Sequence, residues 1–163
     1  MPTYAHPKPK TRYHRREEES DQLWLVKYVK ANYPEAIVES DYAAGLDLTN
    51  TQRIKMMQLR SEKGMPDVRI YYPSRGYHGL IVELKKEGTV IYKKDGSLRK
   101  AGYVNKYHRY GKLFIVRGDH NEDQELTLKK FRKLGYFADR AIGRDQAQQL
   151  VDWYFDRKQQ LPF

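Results

Sequence analysis

The residues with the clearest chemical potential lie between Gly64 and Lys86, in the stretch GMPDVRIYYPSRGYHGLIVELKK. Asp67 follows a proline, and Glu83-Leu84-Lys85 comes sixteen residues later. Each lies on an apolar run that alternates with the period of a β-strand. Val68, Ile70 and Tyr72 share one face of the first run, and Asp67, Arg69 and Tyr71 the other. In the second, Leu80, Val82 and Leu84 oppose Ile81, Glu83 and Lys85. Pro73, Ser74, Arg75 and Gly76 supply turn chemistry between the runs. An antiparallel pair must send both apolar sets to the same side, because a one-residue slip turns one set to solvent. That restricts the register to pairings such as Val68 with Val82 and Ile70 with Leu80. Asp67 then opposes Glu83, with Lys85 one pleat away on the same face. Two carboxylates and an amine so arranged can hold a divalent cation and activate a water.

The elements that must position these groups follow from the rest of the chain. Residues 1–16 read as a basic arm carrying Pro2, Pro7 and Pro9, either a solubilising tail or a segment that orders on nucleic acid. Glu17 to Asn32 reads as a helix with Gln22, Leu25, Val26 and Val29 inward and Tyr33-Pro34 ending it. Its glutamates suit the positive end of the helix dipole. Ile37 to Ser40 is a short strand. Thr49 or Asn50 caps a helix over Thr51 to Glu62, with Ile54, Met57 and Met56 expected to face the core. After Lys86, two short runs flank the hairpin signal Lys94-Asp95-Gly96, and Leu113 to Val116 is a further strand. A helix is expected over Gln124 to Leu134, a strand over Tyr136 to Ala141, and a last helix capped by Asp145 and packing Ala147, Leu150, Val151, Tyr154 and Phe155.

Composition narrows the partners. The length of 163 residues suits one domain able to bury its own core. No cysteine is present, which excludes disulfides and thiolate metal sites. No apolar run is long enough for a bilayer span, no signal-peptide hydrophobic region is visible, and no glycine loop of the Walker type points to a nucleotide cofactor. An intracellular, cytoplasmic protein is the expectation. The formal charge of +10 favours a polyanion through counterion release. Tyrosines alternate with cations around Tyr103, Lys106, Tyr107, Arg109 and Tyr110, a pattern suited to stacking on bases. The basic segment 87–119 reads equally as a nucleic-acid flap or as a dimer contact.

Proline-aspartate on one strand and Glu-x-Lys on the next resembles the PD-(D/E)xK nuclease superfamily. The local pattern is closer still to the VRR-NUC domain family, which pairs G-x-P-D, here Gly64 to Asp67, with E-x-K, here Glu83 to Lys85. A glutamate one turn before a glutamine, Glu18 and Gln22, also resembles that family. So does a glutamine opening a helix that ends in Gly-Tyr, here Gln124, Gly135 and Tyr136. The likeness covers about Glu17 to Phe155, with an insertion over 87–119 separating Glu-x-Lys from Gln124. It implies an α/β restriction-endonuclease-like fold, a mixed central sheet flanked by helices.

The same resemblance implies roles. Asp67, Glu83 and the main-chain carbonyl of Leu84 would hold Mg²⁺ or Mn²⁺. Glu18, or Glu19 if the helix is rotated, would complete the shell, and Lys85 would position water and stabilise charge. Gln124 would orient water or phosphate. Asn50 and Arg53 would be contacts to nucleic acid, and so would Lys93 and Lys94 if the basic segment is a nucleic-acid flap. Compact members resemble phage-type homodimers that cleave four-way DNA junctions. A nuclease of flaps, nicks or single strands and a silent nucleic-acid-binding module are the rival expectations.

Overall fold

The computed structural model describes residues 12–41, 48–59, 64–109 and 112–155, the side chains of residues 12–18, 57, 105, 107–109, 114 and 116 excepted. The first helix, α1, spans Arg12–Asn32 and begins five residues before Glu17. Nothing between Pro9 and Pro34 interrupts helical geometry, so α1 extends through the arginine-rich turns. Its apolar stripe is fully used: Leu25 and Val29 are buried, with Gln22 and Tyr33 beside them.

The strands β1 (Ile37–Ser40), β2 (Val68–Tyr71), β3 (Leu80–Lys85) and β6 (Phe137–Ile142) form one sheet in the order β1-β2-β3-β6. β1, β2 and β3 pair antiparallel, and β6 joins β3 in parallel. The β2–β3 register sets Val68 against Val82 and Ile70 against Leu80, as alternation requires. α1 and α4 (Gly143–Tyr154) cover one face, where Val68, Ile70, Leu80, Val82 and Leu84 meet Leu25, Val29, Leu150, Val151 and Tyr154. α3 (His120–Lys133) covers the other, with Leu128 and Phe131 against Ile81 and Ala138. Helices on both faces explain why β3 is buried along nearly its whole length.

The β2–β3 turn also completes α4. Ser74 donates to the Tyr154 carbonyl at 2.6 Å and Arg75 to the Trp153 carbonyl at 2.7 Å, satisfying carbonyls that a helix C-terminus leaves open. The Arg75 guanidinium lies 4.6 Å from the centre of the Trp153 ring, so Trp153 is core rather than free surface.

Several expectations change. α2 is described over Asn50–Leu59, the expected continuation through residues 60–62 lying outside the described residues, and Thr49 caps it, bonding reciprocally with Gln52 as a capping box. Ile54 is 57% exposed rather than buried, because α2 is not packed onto the sheet; the Met57 side chain lies outside the described residues. α3 begins at His120, capped by Asp119, which accepts from the Asn121 and Glu122 N–H groups. α4 begins at Gly143, so Asp145 lies inside its first turn; the Gln146 side chain accepts from the Ile142 N–H instead. The expected hairpin around Lys94-Asp95-Gly96 reduces to a tight turn with one bridge, Tyr92 to Leu98. A longer hairpin follows it, β4 (Gly102–Arg109) with β5 (Lys112–Asp119), forming a separate two-stranded sheet. Among the described residues, no helix is long and apolar enough to cross a membrane.

Candidate active site

Glu83 is the centre of the site and owes its position to β3. The strand alternation turns it away from the Val82–Leu84 core and towards α3, and only 2% of its surface is exposed. Lys85, two residues on, shares that face, and its Nζ donates to Glu83 Oε1 at 2.7 Å. Gln124, from the second turn of α3, donates its amide to the same oxygen. Continuing the β2–β3 register by one residue sets Asp67 opposite Glu83. The Asp67 carboxylate reaches across to accept from the Leu84 N–H at 2.8 Å. The structure therefore brings together Asp67, Glu83, Leu84, Lys85 and Gln124.

Two polar atoms in this cluster are buried with no hydrogen-bond partner: Glu83 Oε2 and Gln124 Oε1. Both are oxygens, and a buried acceptor left unpaired costs about 1–3 kcal/mol. Burial, and next the neighbouring Asp67 carboxylate, push the Glu83 carboxyl up to about 8, against the pull of Lys85. A hard divalent cation prefers an all-oxygen set, so the donors present fit Mg²⁺ or Mn²⁺. Among the described residues, no cluster of three His, Cys, Asp or Glu side chains stands ready for a metal. Asp67 and Glu83 supply two, and the side chain of Glu18 lies outside the described residues.

The frame around the cluster is tight. Gln22 on α1 donates to the carbonyl of Asp67 at 3.0 Å and to that of Asp41 at 3.2 Å. The Asp41 N–H also donates to the Asp67 carbonyl, at 2.9 Å. The helix face carrying Gln22 is thereby fixed beside Asp67, and Glu18 lies one turn earlier on that face. Glu19 is half-buried one position round. Gly64 has φ of 66°, and a Cβ there would stand 2.7 Å from the Gln124 backbone N. A glycine is thus required where the chain passes α3 beside the site, which gives the G-x-P-D pattern a physical cause.

Asn50 and Arg53 are exposed on α2, and Arg53 donates to the Leu48 carbonyl at the start of its own helix. Lys93 and Lys94 are exposed in the turn before β4. No hydrogen bond among the described residues joins these four to Asp67 or Glu83.

Arg140 is the residue that the sequence pattern did not single out. Its Cα pairs with that of Glu83 across the β3–β6 ladder, and it is 5% exposed. It donates to Glu125 and Tyr92 and to the Asn121 carbonyl, locking α3 against the sheet. Burial opposes ionisation of Glu125, but its hydrogen bonds from Arg140 and Arg132 outweigh this and hold the carboxyl below the usual range. An arginine within a strand buried on both faces is the available signal, since such a charge needs a buried partner.

No family model matches the chain, and no curated protein matches it. Among solved structures it is similar to a VRR_NUC domain protein, with 18% identity, a TM-score of 0.52, and coverage of 86% of this chain and 88% of that one. The fold is accordingly the restriction-endonuclease-like α/β fold of that structure, a mixed sheet with helices on both faces.

Proposed function

We propose that this chain is a divalent-metal-dependent endodeoxyribonuclease that hydrolyses phosphodiester bonds, acting as a homodimer on branched DNA of the four-way-junction type. The observation that carries the reading is the convergence of two unpaired buried oxygens, Glu83 Oε2 and Gln124 Oε1, with Asp67 and Lys85. Likeness in fold to a VRR_NUC domain protein supports it further.

Asp67, Glu83 and the Leu84 carbonyl would hold Mg²⁺ or Mn²⁺, with Glu18 or Glu19 completing the set. When bound, such an ion polarises a phosphoryl oxygen and lowers the pKa of a coordinated water. The chain's own groups divide the remaining work. Glu83 anchors the Lys85 ammonium, whose side chain is 17% exposed and so can meet a substrate arriving from solvent. That cation offsets charge developing on the phosphate and orients the attacking water. Gln124 holds Glu83 in place through its amide and presents its carbonyl oxygen to water or phosphate. Asp67 is oriented by the Leu84 N–H on one side and by the tether on its own carbonyl on the other.

A two-fold dimer would present two such sites to two equivalent strands, which suits a junction. The test is cleavage of labelled four-way junctions, flaps, duplex and single strands with Mg²⁺ or Mn²⁺. Symmetric paired nicks on the junction are expected. Equal cutting of plain duplex would remove the junction preference, and no cutting of any substrate would remove the nuclease reading.

A further inference from the structure

The β4–β5 hairpin stands apart from the central sheet and is not needed to build the site. Between Gly96 and Gly118 the chain carries Arg99, Lys100, Lys106, Arg109, Lys112 and Arg117 and no aspartate or glutamate. Six cations in this short stretch account for more than half of the net charge of +10. Among the described residues, Lys106, Lys112 and Arg117 are exposed and make no ion pair.

The register arranges these cations. On one face the rungs set a cation against an aliphatic residue, Val104 with Arg117 and Lys106 with Ile115, and Leu113 follows Ile115 on the same face. Val104, Ile115 and Leu113 are 55%, 51% and 51% exposed. At the tip, Lys112 lies on the opposite face of the ribbon, on the rung with Arg109. Such a surface needs an anionic partner.

The root of the ribbon is firm. The Asp119 carboxylate that caps α3 also accepts from the Ala101 N–H at 2.9 Å. The Tyr103 hydroxyl donates to Asp123 at 2.9 Å, and the Tyr103 ring lies over Gly118, where a Cβ would sit 2.4 Å from it. Asp123 immediately precedes Gln124, so the ribbon springs from the helix turn that enters the candidate site. Eight-residue strands at about 3.3 Å per residue carry it roughly 26 Å outwards.

We propose that this hairpin is a DNA-binding arm, gripping the phosphate backbone beside the scissile strand with Lys106 and Arg117 on that face and Lys112 at the tip, while Val104, Leu113 and Ile115 cover sugars and base edges between. The inference rests on the nuclease reading for its choice of partner. A two-stranded ribbon fits the width of a major groove, about 12 Å. The rival occupant, a second copy of this chain meeting it face to face, would set cations against the same cations, because a two-fold interface opposes identical patches. Between Gly102 and Gly118 no carboxylate would offset them.

The test is the salt dependence of duplex and four-way-junction binding by the full chain in EDTA, so that no strand is cut. The Lys106→Ala/Lys112→Ala/Arg117→Ala variant is compared with a charge-matched control, Lys27→Ala/Lys30→Ala/Lys133→Ala. Each phosphate contact contributes roughly 0.9 to the slope of log affinity against log salt. The hairpin variant should lose most of three such increments and bind at least about tenfold more weakly near 0.1 M salt, with the control close to wild type. The three single variants, each losing roughly one increment, decide the matter if the triple variant does not fold. Equal slopes for hairpin variant and wild type would overturn the proposal. So would conversion of a dimer to monomer in sedimentation with DNA affinity intact, which would make the ribbon a self-contact. A wild type that binds through the ribbon in EDTA yet cuts nothing once Mg²⁺ or Mn²⁺ is added removes the nuclease reading and leaves the ribbon's role in place.

Discussion

Lys85 and Lys106 are both cations on β-strands, and their surroundings differ in everything that decides what a cation does. Lys85 closes a strand with core on both faces, and it is bonded to a nearly buried glutamate. Lys106 lies on a two-stranded ribbon with aliphatic and basic neighbours and no carboxylate across the rung. In the first region position is imposed by packing: a slip of one residue would expose Val68, Ile70 and Val82. In the second, position is imposed only at the root, through Asp119 and Tyr103, and charge does the rest. A site for bond-breaking needs the first kind of placement, and a surface that follows a deformable polyanion suits the second.

The largest separation between the regions is expected in turnover. Lys85→Ala or Asp67→Ala should lower DNA cleavage by about 10³-fold with affinity in EDTA changed only a few-fold, and single-turnover kinetics beside anisotropy titrations check both halves. A hairpin lysine variant with an equal loss at saturating DNA would break the comparison.

The pH dependence of stability sharpens it next. With a folded value of about 8 against an ordinary 4.5, Glu83 holds a proton in the folded, metal-free chain that the unfolded chain releases. Stability in EDTA should therefore fall as pH rises from about 4.5 to about 8 and level off above it. Glu83→Gln should flatten that slope and be the more stable protein at pH 8, as urea titrations at several pH values would read. A fall of the same size in the variant would place the proton elsewhere.

Gly64→Ala strikes the contact between the G-x-P-D loop and α3. A side chain at φ 66° whose Cβ meets backbone on α3 should cost about 2 kcal/mol and reduce cleavage by drawing Gln124 from Glu83. Thermal unfolding and activity read it together, and an unchanged protein would mean that the loop and helix are not in contact. The smallest effect belongs to the hairpin root: Asp119→Ala removes the α3 cap, with a loss of about 1 kcal/mol. Hydrogen exchange should then quicken in β4 and β5 before it changes in β3.

The same contrast explains what the sequence could show. The β2–β3 register was legible because period-two alternation over two buried strands admits few pairings, and Asp67, Glu83 and Lys85 came with it. The start of α3 had a local signal, Asp119 followed three residues later by Glu122. β4 did not, since GYVNKYHR shows no clean alternation of apolar and polar residues. The outward position of Ile54 could not be read from its helix, because it depends on whether the helix packs onto the sheet. Arg140 needed Glu125, Tyr92 and Asn121, which only the fold brings near. Glu18 and Gln22 were visible as a spacing, but the tether from Gln22 to the Asp67 carbonyl is a contact across forty-five residues.

The central claim is that the oxygen cluster around Glu83 cuts DNA only with a divalent metal. Its most direct test is single-turnover cleavage of a labelled four-way junction by the full chain and by Glu83→Gln, with Mg²⁺ or Mn²⁺ added stepwise after exhaustive chelation. The account predicts no cutting in EDTA, recovery with added metal in the wild type, and no recovery in the variant. Cutting that persists through chelation, or that Glu83→Gln performs as well as the wild type, would contradict it.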